Sequence, residues 1–295
     1  MVNWRTPHVW VFFACTALAL LNPSARILAE QEPVVGSDTD ATVLGSQRQL
    51  YLEARDAQSR RQMTRYRKLL PQLQDYPLTP YLQYRELTRA ISRANRAAIT
   101  DFLEDQQGSY LAYQLRRQWL HNLARQAIAA QDPERLAAWQ HFLDFYQKSL
   151  NDTELQCRAL QARLALDDDR ALDEVPPLWN VSHSQPEACD PVFDRWLAEG
   201  RLTPEIAWQR HHKALKARKR ALAAYIGRQM DETQQPLAEL FRQVDREPSL
   251  LARMKRFGQQ SPEMQDIIHH GLRRLARTDA PRTLKLWRQY DAQQL

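Results

Sequence analysis

The residues of this chain able to do chemistry are few, and two cysteines are the most pointed of them. Cys157 and Cys189 stand 32 residues apart, the second of them between two prolines in SQPEACDPVFDRW, residues 184–196. In an exported chain an even number of cysteines favours pairing, and a bridge here would contribute roughly 3.5 kcal/mol on the loop-closure model. Two separate buried thiols are the other reading the residues allow. Metal ligation would ask for a CxxC or a closely spaced set of Cys and His, and neither is present.

Histidine and aspartate offer two further groupings. His211–His212 and His269–His270 are adjacent pairs, and neighbours on a helix point about 100° apart, so neither pair converges as i, i+4 metal ligands would. They read as solvated or interface histidines. The run Asp167, Asp168, Asp169 suggests a cation site, but Asp169 as a helix cap explains it equally well. HExxH and GxSxG are absent, and the seven glycines, no two adjacent, leave nothing from which to build a phosphate-cradling loop. No catalytic residue, metal or cofactor is expected from these residues.

The segment RHHKALKARKR, residues 210–220, carries Arg210, Lys213, Lys216, Arg218, Lys219 and Arg220 without an acid. It reads either as the solvated face of a helix or as a surface for an anionic ligand, such as the carboxylates of cell-wall peptides. Eight Trp and ten Tyr fall mostly on apolar stripes. Core packing is their default, and a sugar-stacking role would require exposure.

The elements that must position these residues are helices. A capping residue followed by proline recurs at Thr79–Pro80, Asp132–Pro133, Asp190–Pro191, Thr203–Pro204 and Ser261–Pro262, which marks helix starts. Leu111, Leu115, Trp119 and Leu123 step by four, Leu136, Trp139, Leu143 and Tyr146 by three or four, and no segment alternates with period two. The expected fold class is all-α: a right-handed superhelix, or solenoid, of short helix pairs with no sheet. About eleven or twelve helices of roughly 8 to 18 residues are expected. Asp132, Asp169 and Asp279 recur at separations of 37 and 110 residues, the range of helical-hairpin repeats. Pro176 to Pro186 reads as an irregular loop between the two cysteine-bearing helices.

At the N-terminus Arg5 and His8 precede the apolar run Val9 to Leu21, then Pro23 and Ala29. That order reads as a secretory signal peptide, residues 1–29, too short in its apolar part for the roughly 20 residues of a membrane span. Cys15 lies within the run and would leave with it. Cleavage would lower the formal charge from +6 to +4, leaving a mildly basic exported protein for which nucleic acid is not an expected partner. Residues 30–46 lack periodicity and read as a flexible leader, ahead of an α-superhelical domain at 47–295.

LQDYPLTPYLQYRELT at 73–88, with a break at Pro77, a restart at Pro80 and Tyr81 and Tyr84 on one face, together with Cys157 and SQPEACDPVFDRW, resembles the soluble lytic murein transglycosylases. The resemblance covers residues 47–295 and points to the N-terminal α-superhelical domain of that family. It implies a periplasmic protein, a disulfide between the two cysteines and peptidoglycan glycan strands as partner, with other cell-wall enzymes as further partners. Family members cleave the bond between N-acetylmuramic acid and N-acetylglucosamine to 1,6-anhydro ends, using one glutamic acid of a lysozyme-like C-terminal domain as acid and then base. None of the fifteen glutamates here is followed by the Ser of that motif, and the Gly-Leu-Met-Gln and Ala-Tyr-Asn motifs are missing. The chain stops at QYDAQQL, so relative to the family the domain reads as incomplete at its C-terminal end. The expectation is a non-catalytic module that binds or frames peptidoglycan. A truncated or split transglycosylase whose catalytic part lies elsewhere, and a helical-repeat scaffold for protein partners, stay open beside it.

Overall fold

Thr203 and Ser261 each cap the helix that the following proline opens, their hydroxyls accepting from the backbone N–H of Ile206 and Met264 at 3.3 and 3.2 Å. Asp279 does the same from Arg282 at 3.0 Å, and Asn95, Ser109 and Asp152 cap three helices that carry no proline signal. Such caps satisfy N–H groups that have no partner inside the helix.

The computed structural model describes residues 38–292. The expected signal peptide lies outside them. In chain order the helices are α1 (Asp38–Ser59), α2 (Met63–Leu69), α3 (Thr79–Arg89), α4 (Arg96–Asp105), α5 (Tyr110–Ala129), α6 (Glu134–Phe145) and α7 (Thr153–Ala165). There follow α8 (Val175–Trp179), α9 (Asp190–Ala198), α10 (Pro204–Lys216), α11 (Arg220–Gln229), α12 (Gln235–Arg246), α13 (Pro262–Leu275) and α14 (Ala280–Asp291). Among the described residues there is no strand, and no helix is long and apolar enough to cross a membrane.

Each helix packs mainly on the next one or two in sequence: α1 on α2 and α3, α5 on α6 and α7, and α10 on α11, α12 and α13. The core accordingly forms as three successive clusters. Ala54, Tyr66, Leu73 and Leu82 make the first, Leu115, Leu120, Phe142 and Leu155 anchor the second, and Trp179, Trp196, Phe241 and Ile267 belong to the third. Helix α7 stands between the last two, giving Leu155, Ala159 and Ala162 to one and Cys157 and Leu160 to the other. This nearest-neighbour packing is that of a superhelical stack.

Several expectations require correction. There are fourteen α-helices among the described residues rather than eleven or twelve, with lengths from 5 residues in α8 to 22 in α1. Residues 38–46 of the expected leader are helical; Val43 and Leu44 are exposed, so this part of α1 has no apolar stripe to announce it. The stretch read as a loop from Pro176 begins inside α8.

The other corrections concern caps. Thr79, Asp132 and Asp190 do not cap: Leu78, Pro133 and Cys189 hold those positions. Thr79 instead donates its hydroxyl to the Leu73 carbonyl at 2.5 Å. Asp169 opens a short 3-10 turn without capping it. Asp132, Asp169 and Asp279 therefore do not mark equivalent points of a repeat.

Candidate functional site

Cys157 of α7 and Cys189, at the entrance of α9, are fully buried and bonded to each other, with Cα atoms 4.9 Å apart. One turn along α7, Gln161 donates to the carbonyl of Ala188 and fixes the same junction. Helix α9 then carries Phe193 and Trp196 inward, and Trp196 meets Trp179 of α8 with ring centroids 5.6 Å apart. The bridge thus positions the aromatic pair on which the neighbouring helices close.

The basic segment does not form one helical face. It runs from α10 through a turn, in which Arg218 takes φ +61°, into α11. Arg210 is buried, at 3% exposure, with its guanidinium 4.3 Å from the Trp179 ring centroid. Burial lowers its pKa to about 10. Lys213 donates to the backbone and side-chain oxygens of Asn180 at 2.8 and 3.0 Å, and Arg220 donates to Asp245 at 2.7 Å. Lys216, Arg218 and Lys219 are exposed. Of the six expected anion-binding residues, the fold therefore leaves Lys216 at the end of α10 and Arg218 and Lys219 in the turn after it open to solvent, bonds Lys213 and Arg220 to neighbouring groups, and buries most of Arg210.

The histidines, read as solvated or interface residues, divide between the two places. His211, His212 and His270 meet around Phe241, with ring centroids 5.6, 5.3 and 5.1 Å from it, because α10 and α13 both cross α12. Of the two adjacent pairs, His269 alone is exposed. His211 is fully buried beside Trp208, and burial, then the charges of Arg242, His212 and His270, bring its pKa down to about 4. His270 shares the buried carboxylate of Asp245 with Arg220 and Arg274. Trp208 donates its indole N–H to Asp266 at 2.8 Å. Of the two readings, solvated or interface, three of the four imidazoles follow the second: they form an interior seam between helices.

The DDD run is divided as well. Asp168 pairs with Arg163 and Arg170 at 2.9 and 3.0 Å, and those bonds hold its carboxyl below the usual range. Asp167 sits at φ +62° where α7 ends. Among the described residues no group of three or more His, Cys, Asp or Glu side chains is arranged to hold a metal ion.

Two of the open clefts among the described residues combine polar groups with accessible or underlying aromatics. One, of about 610 Å³, lies between α4, α5 and α6 and is mostly polar, with Glu104, Gln107, Arg116 and Asp144 in its walls. Tyr113 stands at its rim, its hydroxyl donating to the Leu150 carbonyl at 3.2 Å, and Tyr110, one turn earlier on α5, is 72% exposed. These are the accessible aromatic faces that sugar stacking requires. Sequence reasoning missed them because Tyr110 and Tyr113 share a helix with a strong apolar stripe. The second cleft, of about 510 Å³, opens between α9, α10 and α11 over Trp179 and Arg210.

Every carboxyl group displaced from its ordinary pKa among the described residues is displaced downward. Hydrogen bonds from Arg163 to Glu174 and from Arg195 to Glu199 do so directly. At Asp152, burial pushes the carboxyl up but Arg117 and the Leu155 N–H outweigh it. A general acid working near neutral pH needs the opposite displacement.

No protein-family model matches the chain. It is similar to the soluble lytic murein transglycosylase of Escherichia coli K12, with 30% identity over 205 residues, which is 69% of this chain and 30% of that protein. Its fold superposes on the lytic transglycosylase Slt of Pseudomonas aeruginosa, solved as an inactive mutant, with TM-score 0.67 and 32% identity over 82% of this chain and 38% of that one. The 70-kDa soluble lytic transglycosylase in complex with bulgecin A matches at TM-score 0.70 and 26% identity, over 85% of this chain and 40% of the other. The chain spans about 30% of the length of the curated relatives it matches.

Proposed function

We propose, from the premise that this chain is a relative of the soluble lytic murein transglycosylases, that it acts in the periplasm in cell-wall turnover by binding or framing peptidoglycan glycan strands. The observation that carries the reading is the match of its superhelix to those enzymes over 82–85% of this chain. Among the described residues the displaced carboxyl groups are held ionised by arginines, threonine hydroxyls and backbone N–H groups, a state suited to accepting hydrogen bonds. A glycan cleaved through protonation of its leaving oxygen would need a carboxylic acid kept neutral. The polar cleft between α4, α5 and α6, with Tyr110 and Tyr113 beside it, is the surface proposed to meet the strand. Aromatic faces would lie against sugar rings while the carboxylate, amide and guanidinium groups would bond hydroxyls.

Retention on purified peptidoglycan sacculi at physiological salt, measured against a protein of similar charge, tests the proposal. Retention that falls when Tyr110 and Tyr113 are changed to Ala supports it; retention no greater than the control's overturns it. Release of anhydro-muropeptides by the purified chain would replace binding with catalysis.

A second reading, a scaffold for a protein partner, draws on α14. Leu284 and Trp287 lie one turn apart there, 47% and 49% exposed, while Leu286 and Tyr290 face the core. Crosslinking through this helix in the periplasm would distinguish it from glycan binding.

A further inference from the structure

The cleft over Trp179 contains a charge arrangement that the packing of the fold does not explain. Arg210 lines it from α10, and among the described residues its side chain has neither a hydrogen-bond acceptor nor an acid partner; its Nε is wholly buried and unbonded. Contact with the face of Trp179 supplies a cation–π attraction but no counter-charge. A guanidinium so placed is strongly disfavoured unless an anion reaches it.

The same cleft carries a complementary feature. Asp190 and Asp194, one turn apart on α9, both line the cleft, both are exposed, and neither is paired with a base among the described residues. Like charges at i, i+4 on a helix repel. No ion pair joins these carboxylates to Arg210 among the described residues, and Phe193, Leu222 and Tyr225 line the cleft with them. A simple anion entering here would be drawn by Arg210 and repelled by the aspartates. A simple cation would meet the reverse.

We propose that this cleft is a binding site for a zwitterionic amino-carboxylate, a free amino acid or a dipeptide, with its carboxylate on Arg210 and its ammonium on Asp190 and Asp194. The apolar part of the ligand lies against Leu222 and the exposed ring of Tyr225. Arginine suits the carboxylate because its N–H groups can bond both oxygens together. A volume of about 510 Å³ accommodates one or two residues.

Calorimetric titration of the whole chain with alanyl-alanine, its N-acetyl form and its C-terminal amide tests the site. The free dipeptide binds, and blocking either end weakens binding by about tenfold or more. In Arg210→Met, which keeps an aliphatic stem on Trp179, the dipeptide and its amide bind equally weakly. In Asp190→Asn/Asp194→Asn, which alters exposed side chains only, the dipeptide and its N-acetyl form bind equally weakly, so a decision remains available even if the Arg210 variant does not fold. Absence of saturable heat at about 10 mM dipeptide, or an N-acetyl form that binds as tightly as the parent, overturns the proposal. The inference does not rest on glycan binding: sacculus retention and dipeptide affinity are separate readouts, and either can fail alone.

Discussion

Nε2 of His270 lies 2.9 Å from Oδ1 of Asp245, and this contact ties α13 to α12 in the interior of the third core cluster. Asp245 is 1% exposed and also meets Arg220 at 2.7 Å and Arg274 at 3.3 Å. Burial pushes its carboxyl up, but these partners outweigh burial and hold it below the ordinary range. Asp245→Asn should therefore destabilise the chain by about 1–3 kcal/mol at pH 7, because it removes the buried acceptor that Arg220, Arg274 and His270 share. A carboxyl with a depressed native pKa contributes its stability above the unfolded-state value and loses it as pH falls through the native one. Urea unfolding of both proteins should show a wide gap at neutral pH that narrows below about pH 4.

His211 gives the opposite kind of group in the same seam. It is fully buried among Trp208, His212 and Phe241, and its pKa is brought down to about 4. The unfolded chain takes up a proton at this residue as pH drops through about 6.5, and the folded chain does not until about 4, so stability falls over that window. His211 alone should remove about 3 kcal/mol between pH 7 and pH 4. In His211→Leu the unfolding free energy should vary less with pH there, and an unchanged slope would refute the assignment.

What the sequence made legible was local. Ser261 and Thr203 announce their helices because cap, proline and first turn are adjacent in the chain, and Cys157 and Cys189 announce each other only on the expectation of export, which leaves an even count. The histidine seam depends on α10 and α13 converging on Phe241, a contact between residues nearly sixty positions apart that no short-range spacing encodes. Arg210 looked like part of a solvated run because its cover, Trp179, comes from another helix. The start of α1 was missed for a different reason: with Val43 and Leu44 facing solvent, no apolar period exists to be read.

Gly271 sets how closely α13 can approach α12. A Cβ placed there would come within 2.5 Å of Val244 Cγ1 and 2.8 Å of Leu251 Cδ1. Both neighbours are fully buried and have no room to retreat. Gly271→Ala should lower the unfolding free energy by about 1–3 kcal/mol, since strain from overpacking outweighs alanine's better helix propensity. Thermal unfolding checks the sign, because an exposed helical position would be stabilised by the same change.

The disulfide provides the test of how far packing in this superhelix is local. Cys157→Ala/Cys189→Ala frees a loop of 32 residues, a loss of roughly 3.5 kcal/mol on the chain-entropy account. In a stack whose helices contact mainly their neighbours, that loss should concentrate where the bridge acts and not spread evenly. Amide hydrogen exchange should therefore accelerate most in α7, α8 and α9, where the bridge, the Gln161–Ala188 bond and the Trp179–Trp196 pair converge. Helices α1 to α3, which close on the separate cluster around Tyr66 and Leu82, should exchange as before. Uniform acceleration across the chain would mean that the three clusters unfold as one cooperative unit. Equal protection in the bridged and unbridged proteins would mean that packing alone already holds the entrance of α9.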